Sequence, residues 1–146
     1  MYIPFDQKYK RKLVVRQVRG DQETVRVYIK GAPEFVLPIC SQTLDVNVQP
    51  KELTENDTAT ILNHIVSLEM AQGGLKVLSY AFKEMRTTEF NSLFERFDVE
   101  SPDFRKEIET EMVYLCTFGM LDELREDIED SVKQLKFGCE EYACDG

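Results

Sequence analysis

The 146-residue chain carries 27 acidic against 18 basic side chains, a formal net charge of -9, and is 42% hydrophobic. That length and apolar content suit one domain with a sizeable core, and the acidic balance argues against nonspecific binding to nucleic acid or anionic membranes. No stretch approaches the ~18 consecutive apolar residues of a membrane helix, which argues against direct membrane insertion, and Met1-Tyr2-Ile3-Pro4 does not read as a secretory leader.

The run from Lys12 to Val18 is apolar and β-branched, and Arg19-Gly20-Asp21-Gln22 reads as a hairpin turn into a second strand from Glu23 to Lys30. In that second strand Val25, Val27 and Ile29 alternate with Thr24, Arg26, Tyr28 and Lys30, so one face is core and the other carries Lys30. Gly31 then tolerates backbone angles closed to other residues, and Pro33 suits the first turn of a helix through Phe35, Val36 and Leu37. A glycine here also lets a ligand approach the backbone, and the Lys30 ammonium is a mobile charge suited to phosphate. The same residues equally describe a plain strand, turn and helix with a surface lysine.

Thr54 can cap a helix with Asp57 three residues later; Ile61, Leu62, Ile65 and Leu68 follow at mixed helical spacing until Gly73-Gly74 stops it. Leu75 to Phe82 reads as a strand with Lys76, Leu78, Tyr80 and Phe82 on one face. Two short helices are expected over Thr87 to Phe97 and Ser101 to about Glu111, with Met70, Phe90, Leu93, Phe94 and Phe97 as core. Met112 to Leu121 reads as a buried strand, and Leu124 to Phe137 as an amphipathic helix ended by Gly138. The acidic residues Asp122, Glu123, Glu126, Asp127, Glu129 and Asp130 read as a solvated helix face near a positive dipole end rather than a metal site. Cys40, Cys116, Cys139 and Cys144 form no Cys-x-x-Cys pair and His64 is the sole histidine, so reduced thiols are expected and a zinc site is not. Arg19-Gly20-Asp21 is a turn rather than an adhesion tripeptide.

Four segments in order carry a family resemblance: Ile3-Pro4-Phe5 with Lys10-Arg11-Lys12, Ile29-Lys30-Gly31-Ala32-Pro33-Glu34, Gly74-Leu75-Lys76-Val77-Leu78, and Gly119-Met120-Leu121-Asp122-Glu123-Leu124-Arg125. Together they resemble the nucleotide-binding domain of P-type cation-transporting ATPases, over Ile3 to about Gly138. The resemblance implies an α/β (α+β) fold, a mainly antiparallel sheet flanked by helices, with a C-terminal strand and helix belonging to the start of the phosphorylation domain. The implied division is a partial nucleotide-binding domain over 1–118, a hinge and first returning helix over 119–138, and a divergent tail over 139–146.

The implied ligand is ATP, as Mg-ATP in the parent pump, with Phe5 stacking on adenine and Lys10, Lys30, Gly31, Lys76 and Leu78 completing the site. Lys76 stands where the family carries arginine, which loses the planar fork on phosphate. Asp122 and Arg125 match the hinge, with Glu123 where proline is usual. The implied partners are the phosphorylation and membrane domains of a parent pump, whose cytoplasmic face this chain would occupy. The alanine-proline form of the motif is similar to calcium and sodium/potassium pumps.

The phosphorylated Asp-Lys-Thr-Gly-Thr segment does not occur in these residues, and no catalytic residue is assigned; the chain is expected to bind ATP without hydrolysing it. It reads as a fragment whose first strands are missing. The alternative reading is a degenerate ATPase fragment acting as a protein-interaction module, to which Lys76 and the unusual tail also point.

Overall fold

The computed structural model describes residues 1–121 and 128–142. Its strands are β1 (Tyr2–Asp6), β2 (Arg11–Gln17), β3 (Thr24–Gly31), β4 (Cys40–Leu44), β5 (Pro50–Glu52), β6 (Lys76–Arg86) and β7 (Met112–Met120). They form one sheet in the order β1-β2-β3-β6-β7-β4-β5, antiparallel at every pairing except β4 with β7. The α+β class and the mainly antiparallel sheet are therefore as expected, with a parallel pair added near one edge.

The expected hairpin forms at Gly20, whose φ of +85 suits glycine, and β2 and β3 pair residue for residue from Arg11↔Gly31 to Gln17↔Val25. Alternation then sorts the side chains. Leu13, Val15, Val25, Val27, Ile29 and Ala81 turn to one face. There they meet Phe90 and Leu93 of α3 (Thr87–Arg96), Phe104 and Ile108 of α4 (Pro102–Ile108), and Val36 of α1 (Pro33–Val36). Each fully buried side chain of this size stabilises the fold by about 1.5–3 kcal/mol relative to exposure. A second, smaller cluster joins Leu37, Leu53 and Tyr114.

Helix α2 (Glu55–Thr60) starts on a capping box in which the Thr54 hydroxyl accepts from the Asp57 amide and the Asp57 carboxylate accepts from Thr54. It continues as a π-helix over Ile61–Ala71 with no residue fully buried, so the mixed apolar spacing is met by a wider helix lying over the sheet rather than by a core helix. His64 is exposed on it.

Several boundaries differ from the sequence reading. β1, β4 and β5 were not legible as strands, and β6 runs on to Arg86. In β7 only Met112, Val113 and Tyr114 are buried; the rest is exposed or half-buried, with the alternation broken at Cys116 and Thr117 beside the register shift against β6. Phe94 is 43% exposed although Phe90 and Leu93 are core, because the helix turns its ring to the rim. Helix α5 (Ile128–Tyr142) continues past Gly138, which therefore does not stop it; glycine weakens a helix interior by about 1 kcal/mol but does not forbid it. The hinge residues Asp122 and Arg125 lie outside the described residues.

Candidate functional site

The face of the sheet opposite α1, α3 and α4 carries Lys30, Lys76 and Leu78. On β3 the residues of this face are Arg26, Tyr28 and Lys30, and their direct partners on β6 are Glu84, Phe82 and Tyr80. On β2 the partners are Arg16, Val14 and Lys12. Further along β6, Leu78 lies opposite Phe118 and Lys76 opposite Met120. Lys30, Leu78 and Lys76 are thus brought to one face.

Phe5 is placed by an irregularity. Tyr2 pairs with Val14 and Ile3 with Leu13, but Asp6 pairs with Arg11, so the register slips by one residue between Ile3 and Asp6. A slip of one residue reverses which face a side chain takes. Asp6 therefore sits on the helix side with Arg11, and Phe5, of the opposite parity, stands exposed at the β1 edge, bordered by Val99 and Arg105 from the helix side. Phe5 is 51% exposed and borders a cavity of about 390 Å³ at the β1 edge, lined also by Tyr2, Tyr9, Val99 and Arg105.

Lys12 and Lys30 face each other directly across neighbouring strands, an arrangement that is unfavourable between like charges. Each ammonium leans away over an aromatic ring: Lys12 lies 5.8 Å from the Tyr2 centroid and Lys30 5.8 Å from that of Tyr80. Tyr80 in turn meets Phe118 edge-on at 5.6 Å. Arg16 and Arg26 are likewise opposed, but Arg26 is occupied by Glu84 and by the Tyr28 hydroxyl. The face is therefore basic and aromatic in a chain of net charge -9.

Lys10 arrives from the β1–β2 turn. Its backbone is left-handed, φ 51, and its Nζ donates to Gln7 Oε1 at 2.7 Å. The turn is built by Asp6, whose Oδ1 accepts from the amides of Lys8 and Tyr9 at 2.7 and 3.1 Å. Those bonds hold the Asp6 carboxyl below its ordinary range.

The need for glycine at 31 has a specific cause. A Cβ there would lie 2.5 Å from the Lys10 carbonyl oxygen and 2.8 Å from Arg11 Cα, while the Ala32 amide donates to the same Lys10 carbonyl at 3.1 Å. The chain itself fills the space that the sequence reading offered to a ligand.

Sequence reasoning missed Lys12 as a site residue, although the alternation of β2 puts it on the other face from Leu13, and it missed the buried group beneath the turn. There Arg11 Nε donates to Glu109 Oε2 at 2.8 Å, Arg105 Nε donates to Glu109 Oε1 at 2.8 Å, and Arg105 lies 4.1 Å from the Tyr9 ring centroid. Nothing in local sequence pattern joins residues so far apart. Among the described residues no group of three or more His, Cys, Asp or Glu side chains is placed to hold a metal.

Residues 1–127 match the family described as P-type ATPase, cytoplasmic domain N. The chain is 29% identical over 130 residues to a sodium/potassium-transporting ATPase subunit alpha of Tetronarce californica, covering 89% of this chain and 12% of that protein. It is 29% identical over 134 residues to calcium-transporting ATPase 1 of Bacillus cereus, covering 92% and 13%, and 25% identical over 126 residues to human plasma membrane calcium-transporting ATPase 4, covering 86% and 9%. The chain thus spans from 9% to 13% of the length of these relatives.

Proposed function

On the premise that this chain belongs to the cytoplasmic N-domain family of P-type ATPases, we propose that its open sheet face binds ATP. The opposed lysines Lys12 and Lys30 carry the reading. A polyphosphate lying between the two strand positions would be reached by both ammonium groups. Phe5, exposed at the β1 edge, offers a ring for the adenine; base stacking on an aromatic side chain is worth about 1–3 kcal/mol. Leu78 packs beside the base, and Lys10 and Lys76 extend the positive rim, with Gly31 setting the height of the Lys30 strand.

In a whole pump the domain would present Mg-ATP to an aspartate that lies outside these residues, on the cytoplasmic side of a membrane. The partners would be the phosphorylation and membrane domains, reached through a hinge at Asp122 and Arg125. Among the described residues no helix is long and apolar enough to cross a membrane. Calcium and sodium/potassium transport are functions named for the relatives; for a parent of this chain they are proposals. Binding, not turnover, is the activity assigned to the chain alone.

Titration with a non-hydrolysable ATP analogue tests this. Saturable binding that weakens in Phe5→Ala, Lys12→Ala and Lys30→Ala supports the assignment; binding indifferent to all three removes it. A protein-interaction module is the second reading, favoured by the exposure of Tyr2, Phe5, Tyr28 and Phe118. An intact, folded chain that shows no amide perturbation by the analogue would favour it.

A further inference from the structure

We propose that Glu109 is a positioning residue for the lysines of the open face, acting through Arg11. The inference rests on the reading of that face as a nucleotide site. Glu109 is 1% exposed and stands at the C-terminal end of α4, on the helix side of the sheet, away from any ligand on the open face.

Its two oxygens divide the work. Oε2 accepts from Arg11 Nε at 2.8 Å, and Arg11 Nη2 lies 2.6 Å from the same oxygen in the ion pair. Oε1 accepts from Arg105 Nε at 2.8 Å, with Nη2 also 2.8 Å away, which ties the carboxylate to α4. Arg11 then uses Nη1 to donate to the Phe35 carbonyl at 3.0 Å, at the helix that follows the Lys30 strand.

The Arg11 backbone lies against Gly31 and is flanked in sequence by Lys10 and Lys12. Arg11 and Gly31 are also register partners, next to the Lys12↔Lys30 pair. One side chain therefore fixes the crossing from which Lys10, Lys12 and Lys30 all depart. Asp6 adds a carboxylate charge near Arg105 from the turn, but Glu109 is the group that accepts from both arginines, so removing its charge leaves the Arg11 guanidinium without its buried acceptor. Arg11 would then leave Phe35, and the Lys10–Ala32 contact would loosen.

The test uses the full chain, with Glu109→Gln and Arg11→Lys as variants and Leu93→Ala as a control that destabilises the core on α3, outside this network. Affinity for a non-hydrolysable ATP analogue and the amide shifts of the free chain are measured well below each melting temperature. Both network variants should bind about fivefold more weakly or worse, a loss typical of coupled sites. They should also shift the Lys10, Gly31 and Ala32 amides without ligand, while Leu93→Ala changes neither. Unmoved amides at those positions, or an equal affinity loss in Leu93→Ala, would overturn the proposal. If Glu109→Gln does not fold, Arg11→Lys, which keeps its charge but loses the fork, decides alone. Absence of analogue binding in the wild-type chain would sink the nucleotide reading, and the free-chain amide shifts would still decide whether Glu109 sets the crossing.

Discussion

Arg11 and Glu109 lie 98 residues apart in the chain and meet as a buried ion pair, with side chains 11% and 1% exposed. Through them the C-terminal end of α4 grips β2, the strand that begins beside the site. Truncating one partner of such a pair leaves uncompensated charge, so Glu109→Ala should destabilise the chain by about 3–5 kcal/mol. Urea unfolding of the variant against wild type measures it. Joint replacement of Arg11, Arg105 and Glu109 by apolar residues of similar volume should recover most of that loss.

Gly31→Ala should be costly for a side chain of one carbon. The added Cβ would meet the Lys10 carbonyl oxygen at 2.5 Å, which is backbone and cannot swing aside. A loss of about 1–3 kcal/mol is expected, in the range of overpacked cores. Faster exchange of the Ala32 amide would show that the strain falls on its bond to Lys10.

Acid should loosen the β1–β2 turn before the sheet. The amides of Tyr9 and Lys8 hold the Asp6 carboxyl below the ordinary 3.8. A depressed folded value means the contribution is complete above the unfolded value and is lost as pH falls through the folded one. Amide shifts of Lys8, Tyr9 and Lys10 should follow this transition, and Asp6→Asn, which keeps the acceptor, should abolish it.

Cys40 should resist alkylation. Burial pushes its thiol up to about 12, and its Sγ donates to the Val36 carbonyl at 3.2 Å. At about pH 8 almost none is thiolate, the reactive form. Peptide mapping after iodoacetamide treatment should find the half-buried Cys40 labelled far more slowly in the native chain than in denaturant; equal rates would contradict the raised thiol.

Lys76→Arg should tighten binding of an ATP analogue. A guanidinium can meet phosphate oxygens with two donors where an ammonium meets them as a point charge, and a gain of about threefold is expected. Calorimetric titration of both forms would measure it. An unchanged affinity would place position 76 outside phosphate contact.

Much of this architecture could be read from the chain because alternation in Val25, Val27 and Ile29, the Gly20 turn and the Thr54–Asp57 cap are local signals with local causes. The antiparallel pairing of β2 with β3 followed from the turn, and the face that Lys30 takes from the alternation; the register, Leu13 with Ile29, is seen only in the folded sheet. What escaped the reading depended on distant partners. β4 and β5 are strands only because β7 offers an edge to Cys40, Gln42 and Thr43. The direction of Phe5 depends on a slip in pairing with β2, which no period in Ile3-Pro4-Phe5 records. Glu109 carries no local signal in the sequence, and its burial between two arginines appears only when β2 and α4 are packed together.

The left-handed backbone at Lys10 has an implication for how this chain could change. That conformation costs a residue bearing a side chain about 1–2 kcal/mol and costs glycine little. A library at position 10 sorted for thermal resistance should therefore enrich glycine or asparagine, while the same library sorted for nucleotide capture should keep lysine. Opposite winners in the two sorts would mark Lys10 as a residue retained for its charge in spite of its backbone.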